Sequence, residues 1–217
     1  MGVSGRYENN DKVISERVIR RLPRYYRFLG EIMQSGAERI SSRELSEKMG
    51  LTASQIRQDL NCFGGFGQQG YGYNVKALHH EIGLILGQDA PEQAILIGVG
   101  NLGTAVGMYM DTHNRGIELC AAFDSNPAKC GKKLGSMVVR PAGELVAYCK
   151  EKNPSVAVLC VPKDAARELV PQLVKGGIRG VLNFSHYDIS LDYPQLKVEN
   201  VHISDSLMTL RYKMNEK

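Results

Sequence analysis

The 217-residue chain is short of the features that tie a protein to a bilayer, a metal or a disulfide scaffold. No apolar run approaches the roughly 18 residues that a membrane-spanning helix needs. The opening Met1-Gly2-Val3-Ser4-Gly5-Arg6 holds no apolar signal segment and no useful myristoylation pattern, so a cytoplasmic chain is expected. The five cysteines (Cys62, Cys120, Cys130, Cys149, Cys160) are an odd number without a C-x-x-C pair, which argues against a metal centre or a paired framework. Cys120 and Cys160 sit in apolar, strand-like runs and read as buried small hydrophobes. Internal repeats and low-complexity tracts are missing too.

What is present is an ordinary globular composition, 43% hydrophobic and 23% charged, with its charge unevenly placed. Residues 1–80 carry 12 Lys/Arg against 8 Asp/Glu, whereas residues 81–217 carry 15 of each, so the net +4 lies in the first part. Within it Arg17, Arg20, Arg21, Arg24 and Arg27 follow one another with no acid between them. Such a run either attracts a polyanion or is a solvated helix face.

Apolar residues from Val18 to Met33 recur at helical spacing, with Pro23 delaying or kinking the helix. Ser41-Ser42-Arg43-Glu44 has the form of a capping box, and Gly50 ends that short helix. Thr52 or Ser54 caps the next helix, Gln55 to Cys62, which gives a helix-turn-helix. The stretch Phe63–Tyr73 interleaves five glycines with four aromatics. It reads as a tight hairpin, the wing of a winged helix, or as a plain loop. Val75–Leu86 is helical again, and Gly87-Gln88-Asp89-Ala90-Pro91 is a linker. The expected division is 1–87, 88–203 and a final helix 204–217.

Beyond the linker, strand and helix signals alternate. Strands are expected at 94–99, 118–124, 156–161 and 179–184, and helices at 101–113, 143–152 and 163–175. This is the pattern of an α/β domain with a parallel sheet covered on both faces. The first strand runs into Gly98-Val99-Gly100-Asn101-Leu102-Gly103, a G-x-G-x-x-G in the strand–turn–helix setting that dinucleotide binding requires. The first glycine makes the turn, the second admits the pyrophosphate, and the third packs helix on strand. Asp124 ends the next strand, where an acid holds ribose hydroxyls and disfavours a 2′-phosphate; it either serves NAD(H) in this way or caps its loop. Val161-Pro162 and Asn183-Phe184 end later strands, and either face the same crevice or form ordinary βα loops.

Enzymatic use of this site has little support. His186 is the nearest acid/base candidate, but too few residues follow residue 184 to form a substrate domain. A small NAD-dependent oxidoreductase with a helical extension remains the competing class, and a nucleotide-binding module of a larger complex a third.

These pieces together resemble the family of redox-sensing transcriptional repressors called Rex. The residues that carry the resemblance are Gln55-Ile56-Arg57-Gln58-Asp59-Leu60, Phe63–Tyr73, the glycine loop through Tyr109, Phe123-Asp124, Leu182-Asn183-Phe184 and Val198-Glu199-Asn200-Val201. The resemblance implies a winged helix followed by a Rossmann domain with a swapped C-terminal helix. It implies a homodimer on an A/T-rich inverted repeat of duplex DNA, released by NADH, with NAD⁺ competing. On it, the cofactor contacts are Gly98, Val99, Gly100, Asn101, Leu102, Gly103, Tyr109, Asp124, Val161, Pro162, Asn183, Phe184, His202 and Ile203. The DNA contacts are Arg24, Arg27, Ser42, Thr52, Ser54, Gln55, Arg57, Gln58, Gln68 and Gln69, and no metal is implied. Ser204 is expected to cap the last helix, whose Leu207, Met208, Leu210 and Met214 are the dimer anchors. Many relatives have Lys at Gln58 and some have Arg at Gln69. Where some relatives place Asp and Phe, to link Tyr109 and Arg27 and to face the nicotinamide, this chain has His202 and Ile203.

Overall fold

A computed structural model describes residues 14–63, 67–68, 71–113 and 116–215. The chain divides into two compact units that meet at Asp89 and Ala90.

The first unit opens with α1 (Glu16–Ile19) and α2 (Leu22–Gln34), and Pro23 lies in the first turn of α2, where its missing N–H leaves no helical bond unmade. Then come β1 (Arg39–Ile40), α3 (Ser42–Met49), α4 (Ala53–Asn61), β2 (Gly67–Gln68), β3 (Gly72–Asn74) and α5 (Val75–Ile85). The capping box forms: Ser41 Oγ accepts the Glu44 N–H, and the Glu44 carboxylate accepts the Ser41 N–H. Gly50 closes α3 at φ 63°, a left-handed conformation that suits glycine. Of the two candidate caps for α4 it is Thr52 that serves, its Oγ1 accepting the Gln55 N–H at 3.1 Å.

The strands pair in the order β1-β3-β2 as an antiparallel wing. Gly72 is required there: its φ is +69°, and a Cβ would lie 2.7 Å from the Ile40 carbonyl oxygen. Leu22, Tyr25, Leu29, Leu45, Met49, Ile56, Leu60, Leu78 and Ile82 form the core that holds α2 to α5 together.

The second unit is a sheet of order β10-β9-β8-β4-β5-β7-β6 among the described residues. Its strands are β4 (Glu92–Ile97), β5 (Ile117–Asp124), β6 (Lys133–Leu134), β7 (Met137–Pro141), β8 (Val156–Leu159), β9 (Gly180–Asn183) and β10 (Lys197–Asn200). All pairs are parallel except β6 with β7. The helices are α6 (Asn101–Thr112), α7 (Leu145–Lys152), α8 (Lys163–Lys175), α9 (Ile189–Asp192) and α10 (Ile203–Asn215). Along β4, Ile95 and Ile97 join one core while Ala94 and Leu96 join the other, so both sheet faces are covered. This is the doubly wound order in which the chain reverses between β4 and β8, and ligands bind beyond the strand ends at that crevice.

Three expectations need correction. The last helix begins at Ile203, so Ser204 lies inside it rather than capping it. Cys120 and Cys160 are only partly buried, and Cys149 is the cysteine in the core. Strands β6, β7 and β10 add to the four expected in this unit. Among the described residues no helix is long and apolar enough to cross a membrane, and no group of three or more His, Cys, Asp or Glu is placed to hold a metal.

Candidate functional site

The glycine loop is shaped by close contacts. Gly98 has φ +91°, and a Cβ there would fall 2.5 Å from the Cys160 carbonyl oxygen. A Cβ on Gly103 would fall 1.8 Å from the Gly98 carbonyl oxygen, so α6 can begin this close to β4 only with glycine. Gly100 differs, because a Cβ there meets nothing within 4 Å. It faces a cavity of about 450 Å³, lined also by Gly98, Asp124, Lys129, Val161 and Pro162. Neither α6, capped by Gly100, nor α8, capped by Pro162, has a side-chain cap, which leaves first-turn N–H groups for an anion. The space over Gly100 and these free donors fit the phosphates of a dinucleotide.

Asp124 holds this loop from the end of β5. Its Oδ2 accepts the Val99 N–H at 2.7 Å and Lys129 Nζ at 3.1 Å, and its Oδ1 accepts the Asn126 N–H at 2.8 Å. Burial alone would raise its pKa, but the donors from Asn126, Val99 and Lys129 outweigh that and hold it below the usual carboxylate value. A carboxylate has about four acceptor positions. Three are used, so loop bracing and a ribose contact are compatible. Lys129 escaped the sequence reading, since nothing in the chain signals that it folds back over Asp124. Burial pushes the Cys160 thiol to about 11, so it lines the cavity as a neutral group.

The other expected cofactor residues divide. Tyr109 and Phe184 line a separate cavity of about 440 Å³ with Ala105, Val106, Met110, His113, Ile117 and Leu182. Tyr109 stacks on His113 with ring centroids 4.6 Å apart. Val99 is buried, whereas Asn101, Leu102 and Ile203 are exposed. Asn183 departs from expectation. Its amide nitrogen donates to the Tyr187 carbonyl and Asn200 Oδ1, and its oxygen accepts from the Ser185 N–H and hydroxyl. The side chain is therefore spent on the loop after β9 and has nothing left for a ligand. His202 Nε2 lies 2.9 Å from the Ser185 carbonyl oxygen, which only accepts, so that nitrogen carries a proton. Its Nδ1 lies 3.3 Å from Asp205.

In the first unit, two DNA-contact candidates meet across α3 and α4: Arg57 Nη1 donates to Ser42 Oγ at 3.0 Å. Ser54 and Gln58 are exposed on α4. Arg24 and Arg27 flank the Phe28 ring at 5.6 and 5.5 Å. Arg24 also donates to the Met49 carbonyl, so part of its capacity is used on the end of α3. Thr52 and Gln55 also make internal bonds: Thr52 caps α4, and Gln55 Nε2 donates to Asp59. Gln68 lies in β2, and Gln69 falls outside the described residues. On α10 no residue is buried, and Leu207, Met208, Leu210 and Met214 are all more than half exposed.

A winged helix joined to a doubly wound nucleotide-type domain defines a DNA-binding regulator with a ligand-sensing unit. Residues 13–61 match the family described as "Putative DNA-binding protein N-terminus", and residues 89–187 match the "CoA binding domain" family. The chain is 51% identical over 206 residues to the redox-sensing transcriptional repressor Rex of Clostridioides difficile, covering 95% of this chain and 98% of that one. It is 48% identical to Rex of Clostridium botulinum, covering 96% and 99%. Among solved structures it is similar to the repressor RSP in complex with β-NAD⁺ and operator DNA, with 46% identity, 94% of each chain covered and a TM-score of 0.88. RSP in complex with β-NADH gives 43% identity, 94% and 96% coverage and a TM-score of 0.85. The chain belongs to the Rex family of redox-sensing transcriptional repressors, whose curated relatives are named as repressors and not as enzymes.

Proposed function

We propose that this protein binds operator DNA as a homodimer through its winged helices and reads the NADH/NAD⁺ balance through the second unit, NADH releasing the DNA. The observation that carries this is the likeness to RSP, solved with β-NAD⁺ and operator DNA, over 94% of both chains. Support for the ligand comes from the open space at Gly100, the uncapped starts of α6 and α8, and Asp124 at the end of β5. The matched family carries CoA in its description, but the solved Rex-family relatives carry NAD⁺ and NADH, so NAD(H) is the reading adopted.

On this reading Gly98 to Gly103 and Pro162 hold the pyrophosphate, and Val161 and Asp124 hold the adenosine side. Tyr109, Phe184, His202 and Ile203 face the nicotinamide side, and α10 joins the subunits. The setting is the cytoplasm, where operators are. His202 lacks the fixed negative charge that Asp supplies in some relatives, and its bond to Ser185 ties it to its own loop. NADH/NAD⁺ discrimination is therefore altered, with NAD⁺ favouring DNA binding. Operator gel shifts with each nucleotide added separately test both parts. Release by NADH and retention with NAD⁺ are expected; no operator binding, or indifference to both nucleotides, overturns the reading.

A further inference from the structure

Asp59 on α4 is fully buried, yet four donors converge on it. Arg21 supplies two, Nε to Oδ2 at 2.6 Å and Nη2 to Oδ1 at 2.8 Å. The Tyr25 hydroxyl donates to Oδ2 at 2.8 Å, and Gln55 Nε2 donates to Oδ1 at 3.0 Å. An ionised carboxylate only accepts, so the Gln55 amide can meet it only with nitrogen inward. Gln55 is half-buried in the first turn of α4, the second helix of the helix-turn-helix, where side chains reach base edges. No donor among the described residues is bonded to its Oε1, and no buried side-chain polar atom among them lacks a partner, so Oε1 is open to solvent.

We infer that Asp59 locks the Gln55 amide with its carbonyl oxygen outward, so that Gln55 selects adenine in the major groove of the operator. This rests on the DNA-binding reading above. The outward oxygen accepts only from a base with an exocyclic amino group. Guanine and thymine present acceptors in the groove, which leave that oxygen unpaired and can at best take the second Nε2 hydrogen, so each offers one contact where adenine offers two. One Nε2 hydrogen is spent on Asp59 and one remains. Adenine offers N7 for it beside its 6-amino group, whereas cytosine offers no second acceptor there. Asp59 is thus a positioning residue, acting on sequence preference through Gln55.

The test selects sites from a randomised duplex library with the full-length protein and with Gln55→Ala. One adenine per half-site is expected to be required by the wild type and to become free in the variant. Replacing that adenine by purine, which lacks the 6-amino group, weakens wild-type binding about tenfold and leaves Gln55→Ala nearly unchanged. Asp59→Asn can donate as well as accept, so guanine or thymine becomes tolerated at that position. Should that variant fail to fold by circular dichroism, the Gln55→Ala and purine arms decide. A wild type that binds operator with no position dependent on Gln55, or with a dependent guanine or thymine, overturns the inference. A wild type that selects no sequence overturns the DNA-binding reading itself.

Discussion

The Asp124 carboxylate and the Val99 N–H are joined by a 2.7 Å hydrogen bond that ties the end of β5 to the turn after β4. Both groups are buried, and Asp124 also anchors Lys129 and the Asn126 N–H. Asp124→Ala strands a buried donor and is expected to cost about 1–3 kcal/mol of stability. Calorimetry of the free protein reads this, and nucleotide affinity falls in parallel. An unchanged melting temperature would show that the loop is held by other contacts.

The same carboxylate and Asp59 set the acid side of the stability profile. Burial would raise both pKa values, but Arg21, Tyr25 and Gln55 for Asp59, and Asn126, Val99 and Lys129 for Asp124, hold them below their unfolded values. A depressed carboxylate contributes stability that is fully present above its unfolded pKa, near about 3.9, and is lost as pH falls through the lower folded value. Urea unfolding is therefore expected to show stability falling below about pH 4. In Asp124→Ala this slope is shallower.

The loop glycines separate folding from ligand binding. Gly103→Ala drives a methyl to 1.8 Å from the Gly98 carbonyl oxygen and is expected to lose about 1–3 kcal/mol or more of stability. Gly100→Ala places its methyl in open space, so the free protein melts as the wild type does. Its NAD(H) affinity falls by at least about tenfold, since that space is where the phosphates lie. Titration calorimetry with NADH beside thermal melts separates the two; a Gly100→Ala variant that binds normally removes the phosphates from this loop.

Why these glycines were legible while other parts were not follows from what each depends on. A G-x-G-x-x-G between an apolar strand and a helix is a local pattern, and so is the Ser41–Glu44 capping box. Strand β10, Lys-Val-Glu-Asn, is an exposed edge strand with no run of inward apolar residues, so periodicity cannot find it. Lys129 and Asp59 owe their roles to partners brought in by the fold: Arg21 is 38 residues from Asp59. The four bonds that occupy the Asn183 side chain are equally invisible in the sequence, where a polar residue at a strand end looks free.

Arg57 stands exposed beside Ser42 on the face where α3 and α4 meet. If its guanidinium meets a DNA phosphate, Arg57→Ala weakens binding to specific and non-specific duplexes alike. The slope of log affinity against log salt then falls by about 0.9. Fluorescence anisotropy across a salt series reads the slope. A loss confined to one operator base pair would instead make Arg57 a base reader.

Helix α10 exposes Leu207, Met208, Leu210 and Met214 together, at 61%, 64%, 53% and 76%. An apolar face of this kind needs cover, and a second copy of the chain is the cover that family membership suggests. Leu207→Asp with Leu210→Asp removes that face without touching the buried core, so the folded units should survive and circular dichroism should be unchanged. Sedimentation is expected to show dimer turning to monomer. Operator affinity should fall with it, because an inverted repeat rewards two heads held at a fixed spacing. A double variant that still sediments as a dimer would place the subunit contact elsewhere and return α10 to another partner.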